Sequence, residues 1–424
     1  MMYFQPDAFA LRVDILSYPY PYKNPYLATA TVAIMKGRDE LLSDDAVFRR
    51  SLKIKILENR DDLYLLEGMG TLRVRFYQQP RSAPLIFIIP GLGSSAYSGA
   101  ARYIAELLVD EGFHVLILPS PFNWNFTLAA SRSGFPGLIQ EDSEDLYSAM
   151  QLTLNYIKEH YGAKVGRTGL IGLSNGALYA AYISQIDAEQ KNIGIATYLL
   201  VNPPVDLLEG IEKIDQMAQL AKKFGTEKTK RIEAYGLGVA AEVLEKEFNN
   251  PFSDPEYFAN WDKRFHLTDK QIQYLIGREL QSSIGDVIYV LELVHYIGVL
   301  RTPISYTNRN DRFNEAHSYS LMDYVKVFLI PRLKQRRGTQ PGAGALNVRF
   351  SLKEVESTLM TNKNIFVMHN RDDFLVSSAD LDYLEGLLGD RAKIYPYGGH
   401  MGNLWYSQNR KDIVSIFKPL LKAQ

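Results

Sequence analysis

The chain has 424 residues, 46% of them hydrophobic and 22% charged, which are the proportions of an ordinary globular protein of one large domain or two. A formal net charge of -1 gives no expectation of nucleic acid or an acidic membrane as partner. The absence of cysteine excludes disulfides, thiolate metal sites and a cysteine nucleophile.

Met1 to Ala10 has neither the basic start nor the apolar core of a signal peptide. A soluble chain is therefore expected, cytoplasmic, or periplasmic or secreted if the start was trimmed from a precursor. Residues 1–50 read as an arm. Within it Ser17-Tyr18-Pro19-Tyr20-Pro21-Tyr22 alternates proline with tyrosine, which favours an extended backbone lying along another surface.

Leu52 to Leu57 and Leu72 to Phe76 alternate with period two and read as strands. Pro84 to Pro90 is continuously apolar, the pattern of a strand buried on both faces, and it runs into Gly91-Leu92-Gly93-Ser94-Ser95. A helix is expected from about Gly99 to Val109, then a buried strand over Phe113 to Leu118, in which His114 reads as a core or sheet-edge residue. A loop of prolines and aromatics follows (Pro119 to Pro136), then a helix from about Glu141 to Tyr161 with acidic residues in its first turn.

Thr168 to Gly172 reads as a strand that stops at Gly172-Leu173-Ser174-Asn175-Gly176, where an Ala-rich segment begins. Glycines two residues either side of Ser174 let the flanking backbones crowd together, so a sharp strand-to-helix turn would lift the Ser174 hydroxyl out of the sheet edge. Ala196 to Val201 is the strand after that helix. Strand and helix in this rhythm predict a mostly parallel sheet covered on both faces.

After Asn202-Pro203-Pro204 the rhythm breaks. Residues 207–350 read as an inserted block, helical near 207–221, 226–248, 268–300 and 319–334, with a flexible tether from Lys334 to Asn347. Its longest apolar run, Ile284 to Leu300, carries Asp286, Glu292 and His295, which argues against a bilayer span. The part from Val287 to Leu300 could line an apolar channel, or form the core of the insertion. A strand from Asn364 to Met368 ends in His369-Asn370-Arg371-Asp372-Asp373. A helix over Ala379 to Leu388 and a strand over Ala392 to Tyr397 lead to Gly398-Gly399-His400, and a terminal helix spans about Arg410 to Leu421.

A serine hydroxyl attacks only when a base takes its proton and a third group orients that base. The chain offers serine, aspartate and histidine at strand ends in that order, and it resembles the α/β-hydrolase superfamily over roughly 50–206 and 360–424. The resemblance implies an α/β-hydrolase fold: a core in two parts, 51–206 and 351–424, with 207–350 as a helical cap and tether. It implies Ser174 as nucleophile, with elbow glycines Gly172 and Gly176; Leu173 stands where relatives often have histidine. It implies His400 as base, while His160, His266, His295 and His317 read as surface or packing residues and His369 as orienting the acid's loop. The pattern Gly-x-x-Asp-x-x-Val, met here with Asn370 for the glycine, selects Asp373 as the acid, with Asp372 and Asp206 as alternatives. The oxyanion donors would be the backbone N–H groups of Asn175 and of Leu92, or Gly93 one register on, although relatives often have His-Gly where this chain has Pro90-Gly91.

No cofactor or metal is expected, since ligand-type residues are never clustered and Gly91-Leu92-Gly93 lacks the third glycine and ribose-binding acid of a dinucleotide site. The implied activity is serine-dependent hydrolysis of a small-molecule carboxylic ester through an acyl-enzyme. Amide, peptide or thioester hydrolysis uses the same residues, and a non-catalytic binding protein on the same fold is the remaining alternative.

Overall fold

The apolar run Ala83–Ile89 forms strand β4, buried at every position, because helices cover both faces of the sheet it belongs to. The computed structural model describes residues 11–12, 17–35, 47–58, 68–246, 266–305, 307–337 and 350–422. Met1 to Ala10 and 338–349, which hold the leader question and most of the expected tether, lie outside the described residues.

Among the described residues, nine strands make one sheet: β1 (Leu11–Arg12), β2 (Phe48–Ile54), β3 (Leu72–Gln78), β4, β5 (His114–Ile117), β6 (Val165–Leu173), β7 (Ile195–Val201), β8 (Ile365–Asn370) and β9 (Ala392–Tyr395). They are ordered β1-β9-β8-β7-β6-β4-β5-β3-β2. All neighbours are parallel except β3, which runs antiparallel to both β5 and β2. The short helix α1 (Pro25–Ala30) precedes β2; α2 (Gly99–Asp110), α3 (Trp124–Ala129), α4 (Ile139–Tyr161) and α5 (Asn175–Gln190) follow β4 in turn. Two apolar clusters fill the space on either side of the sheet, one with Phe87, Leu170 and Leu200, the other with Ile88, Ile171 and Leu199. Consecutive strand residues point to opposite faces, so each buried strand feeds both.

Between β7 and β8 every described element is helical or irregular. The two ends of this segment meet: Leu207 N–H donates to the Phe350 carbonyl at 2.9 Å and Leu352 N–H to that of Val205 at 3.0 Å, around an Asp206–Ser351 bridge. The run from Ile284 to Leu300 is helical only as far as His295, the end of the helix Asp269–His295; Tyr296 turns left-handed. Val287, Ile288 and Leu291 are fully buried in the main apolar cluster, which makes this stretch core. Its charges are satisfied locally: Glu292 pairs with Arg312 at 3.3 Å and accepts the Gly298 and Val299 N–H groups, while Asp286 meets His317 at 3.2 Å. The loop expected over Pro119 to Pro136 contains the buried helix α3, begun by the Asn123 side chain accepting the Asn125 N–H. Among the described residues, no helix is long and apolar enough to cross a membrane.

Candidate active site

Ser174 joins β6 to α5 with φ 52°, a conformation that residues with a Cβ rarely hold. Its N–H donates to the Val201 carbonyl at 2.8 Å, which ties the turn to the end of β7. A Cβ on Gly172 would lie 2.3 Å from the Gly176 carbonyl oxygen, and one on Gly176 would lie 2.2 Å from that of Ile89. Both positions therefore exclude any larger residue, and the close passage of β6, α5 and β4 is what forces the serine to the apex.

His400 Nε2 lies 2.7 Å from Ser174 Oγ, and His400 Nδ1 lies 2.8 Å from Asp373 Oδ2. Asp373 and His400 are buried, whereas Ser174 is partly exposed. Burial pushes the Asp373 carboxyl up. The neighbouring His400, its hydrogen bond and the Leu375 N–H pull it down more strongly, so it rests below the ordinary carboxylate range.

The competing acids are engaged elsewhere. Asp206 caps the helix Leu207–Ala218 by accepting the Leu208 and Glu209 N–H groups at 3.0 and 3.3 Å. Asp372 accepts the Gly398 and Gly399 N–H groups at 3.2 and 2.8 Å, and burial pushes its carboxyl up to about 6. It thus holds the loop that carries His400 rather than the ring itself.

The turn after β4 abuts Ser174, since a Cβ on Gly91 would lie 3.4 Å from Ser174 Cβ. Leu92 is half-buried beside it, and Asn175, buried, opens α5. Gly93 is covered by the insertion: a Cβ there would fall 2.1 Å from Ser283 Cβ, on the helix Asp269–His295. Leu92 also borders a narrow apolar cavity of about 10 Å³ lined by Phe122, Leu207, Ile211, Leu321 and Leu329 among others. Leu321 lies one helical turn before a π-helical turn, Val325–Leu329, which Leu329 ends; Pro331, two residues on, lacks an N–H, and this favours such a break in the α-helical ladder.

The remaining histidines have other partners. His114 accepts the Gln79 N–H at 2.9 Å, and His160 and His295 stack on Tyr156 and Phe135. His266 donates its backbone N–H to Tyr235. His369 lies buried beside Asp373, 3.8 Å from Oδ2. No group of three metal-ligating side chains occurs among the described residues.

Two contributors escape a reading of the sequence. Thr29 Oγ1, on α1, accepts the His400 N–H at 2.8 Å, and Asn202 Nδ2 donates to Asp373 Oδ2 at 2.8 Å. Asn202 marks the strand end before Pro203-Pro204, which is the one signal the sequence holds for it. Thr29 is one threonine in an arm and leaves none.

No family model and no curated protein matches the chain. Among solved structures it is similar to an esterase of Pyrococcus furiosus, at 11% identity over 88% of this chain and 92% of that one, with TM-score 0.42. It is similar to an acylaminoacyl peptidase of Pyrococcus horikoshii, at 11% identity over 89% of this chain and 42% of that one, with TM-score 0.39. A thioesterase domain from the curacin biosynthetic pathway gives 13% identity over 88% and 99%, with TM-score 0.37. At these scores the likenesses are distant, and the fold is read from the sheet itself. The order β2-β3-β5-β4-β6-β7-β8-β9, with β3 alone antiparallel and the sharp serine turn after β6, is that of the α/β-hydrolase fold, and that is the fold this chain has.

Proposed function

We propose that the protein is a serine hydrolase acting on carboxylic esters of small molecules, with Ser174 as nucleophile, His400 as general base and Asp373 as orienting acid. The observation that carries this reading is the unbroken chain of hydrogen bonds from Ser174 Oγ through His400 to Asp373, at 2.7 and 2.8 Å.

As Ser174 Oγ bonds to the ester carbonyl carbon, its proton passes to His400 Nε2. The carbonyl electrons move onto oxygen, which the backbone N–H groups of Leu92 and Asn175 would receive. Collapse breaks the carbon–alkoxy bond, and the Nε2 proton goes to the departing alcohol. Water then repeats the sequence on the acyl-serine, releasing the acid and restoring Ser174. Asp373, ionised, keeps the Nδ1 proton in place and steadies the imidazolium that forms in each half.

Residues 207–350 act as a cap in this reading. Support comes from Ser283 lying against Gly93 and from the cavity beside Leu92, where helices of the insertion meet the turn after β4. The cavity's almost wholly apolar lining suits a small hydrocarbon group of an acyl chain. Stopped-flow release of p-nitrophenol from p-nitrophenyl butyrate tests the acyl-enzyme step. A burst equal to the enzyme concentration, absent in Ser174→Ala, is expected; a turnover that Ser174→Ala retains would overturn the proposal.

A further inference from the structure

Asp373 is held by more than His400. Oδ2 accepts both the His400 Nδ1–H and the Asn202 Nδ2–H at 2.8 Å, while Oδ1 accepts the Leu375 N–H at 3.0 Å. The same Asn202 nitrogen lies 3.3 Å from Nδ1 of His369. Asn202, His369 and Asp373 are all buried, so each of these donors needs an acceptor within the protein.

Only one proton arrangement satisfies them. An ionised carboxylate accepts and never donates, so Asn202 must turn its nitrogen to Asp373. The second hydrogen on that nitrogen faces His369 Nδ1, which therefore carries no proton. The Asn370 N–H points at the same Nδ1 from 2.9 Å. Nε2 lies 3.2 Å from the Pro203 carbonyl oxygen, a partner for an N–H alone. Nδ1 also approaches the Asn370 carbonyl at 3.3 Å, but a proton there would press against two N–H donors, and the shorter contact decides. His369 is thus neutral with its proton on Nε2. Burial pushes its imidazole down, against the opposing pull of Asp373.

The backbone of Asn202 is a second, independent mark. Its φ is 46°, in the left-handed region that asparagine tolerates better than most residues with a Cβ. Its N–H donates to the Met368 carbonyl on β8 at 2.8 Å, which pins this conformation in place. Backbone held in a sparse region by its surroundings collects at working sites.

We propose that Asn202 is a positioning residue for the Ser174–His400–Asp373 relay, its amide fixing the Asp373 oxygen that His400 uses, and that His369, limited to one tautomer, fixes the amide. This rests on the hydrolase reading. The Asn202 donor draws charge from Oδ2 and leaves the carboxylate one orientation. Without it the carboxylate is free to rotate, and its less neutralised charge favours a proton on His400. The other titratable groups facing this pair are His369, held neutral, and Asp372, occupied by two N–H groups of the His400 loop.

The test is the second-order rate of fluorophosphonate labelling against pH for wild type, Asn202→Gly, His369→Phe and the double variant. Glycine removes the amide and keeps the left-handed backbone; should it unfold the chain, His369→Phe, which releases the same amide, carries the test alone. Asn202→Gly should label about 10- to 100-fold more slowly, the loss expected for one hydrogen bond to a charged group, with its acid limb at higher pH. His369→Phe should lose less, and the double variant should lose no more than Asn202→Gly, because both act through one contact. An unchanged rate, a slower rate with an unmoved acid limb, or additive losses would each overturn the proposal. Folded wild type that takes no label would overturn the hydrolase reading itself, an outcome separate from any result with the variants.

Discussion

Thr29 Oγ1 accepts the backbone N–H of His400 at 2.8 Å while donating to the Pro25 carbonyl at 2.7 Å, so α1 near the start of the chain braces the loop after β9. A Cβ on Gly399 would lie 2.1 Å from that same Pro25 oxygen, which is why the loop can approach so closely. Thr29→Val keeps the shape and leaves the buried N–H without an acceptor. It should cost about 1–3 kcal/mol and slow labelling of Ser174 several-fold. Denaturant unfolding and labelling kinetics check this, and unchanged values in both would remove Thr29 from the account.

The three candidate acids should separate cleanly. Asp373→Asn removes the charge that orients His400 and should lower activity by a factor on the order of 10³–10⁴. Asp372→Asn keeps an acceptor for only one of the two loop N–H groups but leaves the Asp373–His400 contact in place, and should lose less than Asp373→Asn. Asp206→Ala loses a helix cap worth about 1 kcal/mol and should leave turnover unchanged. Steady-state kinetics on one ester decide the order, and a larger loss at Asp372 or Asp206 than at Asp373 would reassign the acid.

Asp142 gives a pH signature in stability. Burial pushes its carboxyl up to about 8, against hydrogen bonds from the Gly137 N–H and the Tyr179 hydroxyl. The folded chain therefore keeps a proton that the unfolded chain releases near the ordinary value of about 4. Stability from this group is fully present below that value and declines as pH rises towards 8. Asp142→Asn lacks the titration and should gain on wild type by a few kcal/mol as pH rises from 4 to 8, with no further gain above. Urea unfolding across that window tests it; parallel curves for the two proteins would contradict it.

The cavity beside Leu92 makes a prediction about acyl length. At about 10 Å³ it holds no more than a single water-sized probe, so a long acyl chain must displace its walls. Leu329→Ala enlarges it and should raise kcat/KM for octanoyl relative to acetyl esters by about 10-fold or more. An unchanged ratio would place the acyl group elsewhere.

What the sequence makes legible follows from its physics. The run Ala83–Ile89 is apolar throughout and Ile195–Val201 nearly so, broken only by Thr197 and Tyr198, because both faces are covered, and such strands announce themselves. Ser174 stands out because the glycines beside it are sterically required, and Asp373 and His400 because they follow buried strands. Leu11–Arg12 is too short to carry a period, so its pairing with β9 leaves no trace. Helix α3 is hidden among prolines and aromatics. Thr29 and Asn202 act through single hydrogen bonds to residues 371 and 171 positions away, and no local pattern encodes such partners.

The central claim is that Ser174 is the activated nucleophile. Its most direct test is fluorophosphonate labelling of the folded protein, with the adduct located by peptide mass spectrometry. The account predicts one adduct, on Ser174, absent in Ser174→Ala and formed far more slowly in His400→Ala. No adduct on folded wild type, or one that persists in Ser174→Ala, would contradict it.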